Sequence, residues 1–165
     1  MNQYKLDKNK PAQESNEEIL LRGFDRSLPM SLLKAREAVM KKFTPTLKEH
    51  GLSAQQWRVI RSLEQEDGLE ISELSKRCFL LLPSMSRIVQ NLEARELIVR
   101  KAVSTDQRRT ALYLTDQARG VYQDVAPKSA ERYKNITQRF GYGKLELLYE
   151  LLDDLIEVLD EPNEK

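Results

Sequence analysis

Several residue types that mark particular classes of protein are scarce in this chain of 165 residues. A single cysteine excludes an internal disulfide framework, and a single histidine leaves no pair in metal-ligand spacing. The longest apolar run, Phe79-Leu80-Leu81-Leu82, is far too short to cross a bilayer. The polar residues 1–11 do not read as a signal peptide, and there is no nucleophile–base arrangement or glycine-rich nucleotide motif. We therefore expect a cytoplasmic protein that is not an enzyme and has no metal, no cofactor and no membrane partner.

Charge is present in both signs but is distributed unevenly, although the net charge is only +1. Residues 71–110 hold eight Lys or Arg against four Asp or Glu, whereas residues 144–165 hold two against eight. A basic middle and an acidic end are typical of a DNA reader with a separate assembly element. The alternative for the acidic end is a helix face that is merely solvated.

Residues 71–115 carry the strongest structural signal. Their pattern predicts a short helix over 71–78, a turn, and a second helix over 83–95 that begins at a proline. Two runs rich in branched and aromatic residues follow, 97–103 and 109–114, with a polar link between them that predicts a β-hairpin. A helix-turn-helix followed by a basic wing places one helix in the major groove and a loop beside it. The pattern therefore predicts binding to double-stranded DNA.

Long amphipathic helices flank this segment. Apolar residues recur at helical spacing before Gly51 and again over 144–160, and Ser53 with Gln56 forms a capping-box pattern between them. Thr115 can cap a further helix over 116–139. Two apolar stripes that a compact winged helix does not need are economically buried in a homodimer, the alternative being that they pack on their own subunit.

The expected fold class is mainly α, a winged helix-turn-helix with a helical dimerisation region built by the N- and C-terminal helices. We expect a flexible arm over residues 1–27 and a single domain over 28–165. Within that domain, the DNA-binding part spans about 53–115, and the dimerisation helices span about 28–50 and 116–160.

Over residues 30–160 the sequence resembles the MarR family of winged helix-turn-helix regulators. The most specific match is the wing pattern Asp106-x-Arg108 followed by Leu114-Thr115, and residues 92–100 match the end of the recognition helix and the first wing strand. Residues 33–40 and 52–58 most resemble the family's repressors of homoprotocatechuate (4-hydroxyphenylacetate) degradation operons. One departure is Glu96, where the family usually has glycine. It implies mild left-handed strain or a shifted helix end.

The recognition helix and the wing supply the candidate DNA contacts. Small hydroxyls reach phosphates and bases, while Arg and Gln can make paired contacts to guanine and adenine edges. The resemblance implies that Arg108 enters the minor groove and that Asp106 braces it. Ordinary helix capping and solvated surface charge are the alternatives. The candidate residues are Ser84, Ser86, Arg87, Gln90, Asn91, Asp106, Arg108 and Arg109.

The resemblance also implies an effector site for a small aromatic carboxylate. Arg36, on an otherwise apolar first helix, could bind the carboxylate, or it could form an ion pair with Glu37 or Glu49. Met40 and Trp57 could wall the aromatic ring, although a tryptophan is more often a core residue.

The expected function is a homodimeric repressor of an aromatic-acid catabolic operon. It would be released from a pseudopalindromic operator by a phenolic carboxylate such as 4-hydroxyphenylacetate or homoprotocatechuate. Two alternatives stay open: a redox-gated regulator that uses Cys78, and a protein-interaction module that no longer binds DNA. A small buried side chain is the favoured interpretation of Cys78, and a helix-end position that of His50.

Overall fold

The computed structural model describes residues 23–103 and 106–160, and the side chains of residues 106–108 are not part of that description. Most of the expected N-terminal arm, residues 1–22, therefore lies outside the described residues. In the described ranges, no helix is both long enough and apolar enough to cross a membrane.

The described residues form six α-helices and one small antiparallel sheet. The helices are α1 Leu28–Glu49, α2 Ala54–Gln65, α3 Ile71–Arg77, α4 Leu82–Ala94, α5 Asp116–Phe140 and α6 Tyr142–Asp160, and a 3-10 turn over Phe24–Arg26 precedes them. The strands β1 Ile98–Val103 and β2 Asp106–Leu114 pair as a hairpin with a bulge at Ala102/Val103. This architecture confirms the expected fold class, because α3, α4 and the hairpin are a helix-turn-helix with its wing.

The chain divides into two units, residues 1–41 and 42–165, and each is described by itself. From residue 23 to 41, the first unit contains the 3-10 turn and the beginning of α1, and no side chain there is buried. Lys34 Nζ lies 2.9 Å from Asp25 Oδ1, and this hydrogen bond lowers the pKa of the Asp25 carboxyl. The domain division expected from the sequence stays a prediction.

The hydrophobic core lies in the second unit, where α2 to α5 pack with the hairpin. Trp57 is part of this core, and its indole stacks on the Tyr122 ring with centroids 5.6 Å apart. Burying an aliphatic side chain contributes about 1.5–3 kcal/mol relative to leaving it exposed. The buried side chains of α3 and α4 therefore hold these two helices in place against the core. Core members that are essentially inaccessible include Ile60, Leu63, Leu74, Met85, Val89, Leu92, Ile98 and Leu112.

Local sequence signals set the helix starts. Ser53 Oγ accepts the Gln56 N–H at 3.1 Å, and the Gln56 side chain accepts the Ser53 N–H at 2.8 Å, which confirms the capping box of α2. Thr115 likewise caps α5 by accepting the Ala118 N–H at 3.2 Å. Each cap satisfies backbone donors that the first helical turn leaves free.

Helices α1, α3 and α4 end in the same way, with a left-handed residue followed by a leucine. The left-handed residues are Gly51, Phe79 and Glu96, with φ of 62°, 48° and 56°. Each donates its N–H to the carbonyl three residues earlier, and the following leucine donates five residues back. This is the Schellman arrangement, in which glycine is favoured because it has no Cβ. Glu96 therefore accepts the mild strain, and the helix end does not shift.

Polar contacts join the end of β2 and the start of α5 to α2 and to the loop that follows it. Arg119 pairs with Glu64 at 2.8 Å and also with Asp67, whose other oxygen accepts the Leu114 N–H at 2.9 Å. Gly68 donates its N–H to Leu112, and a Cβ on Gly68 would come within 3.1 Å of the Tyr113 hydroxyl. These contacts therefore hold the core end of the wing in a defined position.

Candidate nucleic-acid interface and effector residues

One face of α4 carries three polar side chains that the fold does not use. Ser84, Arg87 and Gln90 are three residues apart, so they lie along one side of the helix, and all three are exposed. Within the part of the chain that the structure describes, they make no side-chain hydrogen bond or ion pair. Their donors and acceptors are therefore available to a base edge or a phosphate.

The other two recognition-helix candidates already have structural partners. Ser86 Oγ donates to the Leu82 carbonyl at 3.0 Å, one turn earlier in α4. Asn91 Oδ1 accepts from Gln56 Nε2 at 2.7 Å, which ties the second half of α4 to the start of α2. Asn91 therefore positions the helix, and its own contact with DNA stays a prediction.

The wing arginine that the structure describes is held by a carboxylate. Arg109 Nε donates to Glu70 Oε1 at 2.7 Å, and its Nη2 contacts the same oxygen. The sequence analysis did not single out Glu70, because it lies 39 residues earlier, at the N-cap of α3. The side chains of Asp106 and Arg108 lie outside the described residues, so their pairing stays a prediction.

In the first unit, Arg36 Nη1 lies 2.6 Å from Glu37 Oε1, and both side chains are more than half exposed. This is the ion pair considered as an alternative to ligand binding, and an exposed pair contributes only about 0–1 kcal/mol. Met40 is half-buried on the same helix. In the second unit, Trp57 is buried and one face of its ring is covered by Tyr122. The ligand role of these three residues stays a prediction.

A groove of about 260 Å³ in the second unit was not anticipated. It is lined by Lys42, Arg132, Asn135, Ile136 and Arg139. Arg132 is anchored, because it donates to the Thr46 hydroxyl and to the Lys128 carbonyl. Neither Lys42 nor Arg139 pairs with a carboxylate in the described ranges. The groove therefore presents net positive charge, and no local motif could reveal it because its sides lie about 90 residues apart in sequence.

Cys78 is inaccessible to solvent, which confirms its interpretation as a small core side chain. Burial raises the pKa of its thiol, because a thiolate would lose hydration in the core. Its backbone carbonyl accepts a hydrogen bond from Arg58, so the surrounding turn is fixed. The nucleophilic form of the sulfur is therefore scarce at neutral pH.

We expect the Cys78 thiol to react slowly with a disulfide reagent in the native protein and fully after denaturation. Cys78→Ser should leave the response of DNA binding to millimolar peroxide unchanged, since oxidation needs an accessible thiolate. Thiol titration and DNA-binding assays with and without peroxide check both points. Rapid native labelling, or peroxide release of DNA that Cys78→Ser abolishes, would contradict this assignment.

Comparison with known proteins agrees with this geometry. Residues 50–109, which run from the end of α1 into the wing, match the sequence model of the MarR family. The chain is 36% identical to the HTH-type transcriptional regulator FarR of Neisseria gonorrhoeae over 137 residues, which cover 83% of this chain and 94% of FarR. It is 34% identical to the homoprotocatechuate degradative operon repressor of Escherichia coli, with 79% of this chain and 88% of the repressor covered.

Among solved structures, the fold is similar to that of NadR in complex with 4-hydroxyphenylacetate. The TM-score is 0.71 at 34% identity, with 81% of this chain and 98% of NadR covered. The exposed polar face of α4, the adjoining wing and these relatives lead to one conclusion. The chain belongs to the MarR family of winged helix-turn-helix, DNA-binding transcriptional regulators.

Proposed function

We propose that this protein is a cytoplasmic homodimeric repressor of an aromatic-acid catabolic operon. It binds a pseudopalindromic operator and leaves it when a small phenolic carboxylate, such as 4-hydroxyphenylacetate or homoprotocatechuate, is bound. The observation that carries the DNA-binding part is the face of α4. Ser84, Arg87 and Gln90 stand exposed and unpaired within the described residues, on a helix whose opposite side is fixed in the core.

The dimer is supported by helix α6, which has no buried residue. Large apolar patches of this kind on a folded chain mark interaction surfaces. A second copy is a suitable cover, because α6 also carries Glu146, Glu150 and Asp153, whose charge is opposite to that of the Lys42–Arg132–Arg139 groove. The exposed apolar side chains of α6 include Leu147, Leu148, Leu151, Ile156 and Leu159.

Leu148→Glu is expected to weaken dimerisation by roughly 100-fold or more, because a carboxylate would be buried without a partner on both subunits. Analytical ultracentrifugation measures this effect, with Glu157→Gln as the control, because Glu157 is exposed on the opposite side of the same helix. A Leu148→Glu protein that dimerises as tightly as the wild type would exclude α6 from the interface.

The effector part of the proposal rests on the relatives. One is named for homoprotocatechuate degradation, and another was solved with 4-hydroxyphenylacetate. An acid of this kind combines one carboxylate with a flat apolar ring. We propose that Arg36 binds the carboxylate, since its present partner Glu37 is exposed and weakly held. Met40, on the same helix, provides apolar surface for the ring, and Trp57 stays a separate candidate for an apolar contact.

Release follows from linkage between the two sites. The acid has only to bind more tightly to a dimer whose recognition helices are wrongly spaced for the operator. A coupling of about 1–3 kcal/mol changes operator affinity roughly 5–150-fold. No covalent step is needed.

The proposal is tested by selecting duplexes from a random pool with the purified protein. We expect an inverted repeat whose half-sites are separated by about one helical turn, roughly 34–36 Å, and a complex of two chains per duplex in native mass spectrometry. Affinity for the selected duplex should fall steeply with salt, since phosphate contacts release counterions. A pool that shows no enrichment, with salt-independent binding, would instead indicate an interaction module that no longer binds DNA.

A further inference from the structure

The turn between α3 and α4 exposes three large apolar side chains. Phe79 is 87% exposed, Leu81 78% and Leu82 49%. Two neighbouring residues face the core instead: Cys78, just before Phe79, is inaccessible to solvent, and Leu80, just after it, packs against the core. We call Phe79, Leu81 and Leu82 the apolar turn patch. Cys78 and Leu80 therefore contribute to the core, whereas the apolar turn patch is exposed to solvent.

The backbone makes Phe79 more unusual still. Its φ of 48° is left-handed, a conformation in which a bulky side chain is strained and glycine is not. The same helix ending is closed by glycine at Gly51 and by a polar residue at Glu96. No packing energy offsets the backbone strain at Phe79, because its ring is exposed. The fold therefore gives no reason for phenylalanine here, and strained positions that folding does not explain occur preferentially at functional sites.

The turn is also rigidly held. The Leu80 N–H donates to the Ser75 carbonyl, and the Ser75 hydroxyl donates to the Leu80 carbonyl. Arg58 donates to the Cys78 carbonyl on the other side of Phe79. A ring displayed on a fixed backbone loses little conformational entropy when a partner covers it.

The position of the patch identifies the partner. Leu82 is the first residue of α4 and Leu81 is its N-cap, so the patch continues directly into the helix that carries Ser84 and Arg87. In a helix-turn-helix, the residues at the start of the second helix face the base edges of the major groove. Thymine is the base that presents a methyl group there, and apolar side chains contact that methyl.

We propose that the apolar turn patch reads the C5-methyl groups of thymines in each operator half-site. This proposal rests on the proposed function, since it specifies how α4 recognises its operator. It assigns sequence specificity to side chains that carry no hydrogen-bonding group, beside the polar contacts expected from Arg87 and Gln90.

The test replaces single thymines of the selected operator with uracil, which removes the methyl group and keeps base pairing. At a contacted position we expect wild-type binding to weaken about 4-fold, the equivalent of ~0.8 kcal/mol for one buried methyl-sized group. The double variant Phe79→Gly with Leu81→Ser, which removes the two most exposed members of the patch, should lose most of this preference for thymine. Its thermal midpoint should equal or exceed that of the wild type, because glycine suits the left-handed site and serine is a good N-cap.

Phe24→Ala is the matched control, since Phe24 is another exposed phenylalanine, 76% accessible, and lies outside α3 and α4. It should retain the wild-type preference for thymine. Uracil-insensitive binding by the wild type, or a preference for thymine that is undiminished in the double variant, would overturn the inference while the proposed function stands. Failure of the wild type to select any duplex would overturn the proposed function itself.

Discussion

Arg87→Ala is expected to weaken operator binding by about 1–3 kcal/mol per half-site, roughly 5–150-fold. Arg87 is exposed on α4, and no described residue pairs with it, so its guanidinium can form two parallel hydrogen bonds to a guanine edge. Because this contact reads a base, the loss should be largest on the selected operator and smaller on unrelated duplexes. Fluorescence anisotropy with both kinds of duplex measures the difference.

Arg61→Ala is the matched control for this experiment, since Arg61 is an exposed arginine on α2. It removes the same charge outside the recognition helix, and operator affinity should change little. Gln90→Ala should relax sequence preference with a smaller change in the salt slope, because it removes no charge. If Arg87→Ala binds the operator like the wild type, the assignment of α4 as the recognition helix is wrong.

Arg36→Ala is expected to weaken the binding of 4-hydroxyphenylacetate roughly 10–150-fold while operator affinity stays close to that of the wild type. The substitution removes a charge-assisted hydrogen bond to the acid, which contributes about 1.5–3 kcal/mol. Glu37→Gln should act in the opposite direction, since it removes the carboxylate that now competes for Arg36 at 2.6 Å. Isothermal titration calorimetry on the wild type and both variants measures these changes.

Lys41→Ala serves as the control, because Lys41 is an exposed cation on the same helix and in the same unit. Equal affinities for the acid in the wild type and Arg36→Ala would remove Arg36 from the site. A corresponding loss of affinity for the acid in Lys42→Gln or Arg139→Gln would then identify the groove lined by Lys42, Arg132 and Arg139 as the carboxylate-binding site. No heat in the wild type with either phenolic acid would exclude the effector claim.

Features encoded by neighbouring residues could be predicted from the sequence. Capping at Ser53 and Thr115, the glycine stop after α1 and the paired strands all depend on contacts within a few positions. The residues that α2 and α4 bury also recur at helical spacing, a pattern that neighbouring residues display. Helix α6 begins at Tyr142, earlier than expected, because Gly143 weakens a helix but does not prevent one.

Contacts between distant residues could not be predicted. The Glu70–Arg109 pair, the Asp67–Arg119 pair and the Lys42–Arg139 groove each join residues that carry no mutual signal in sequence. Each depends on how whole elements pack. The exposure of Phe79 was hidden for a related reason: an apolar run reads as core, and only the left-handed turn shows which of its members face water.

The central claim is that operator and phenolic acid bind the same dimer with opposing effects. It is tested most directly by measuring operator affinity with and without saturating 4-hydroxyphenylacetate, and acid affinity with and without the operator. Linkage requires both affinities to fall by the same factor, which we expect to lie between about 5 and 150. Operator affinity that does not change at saturating acid would contradict the account.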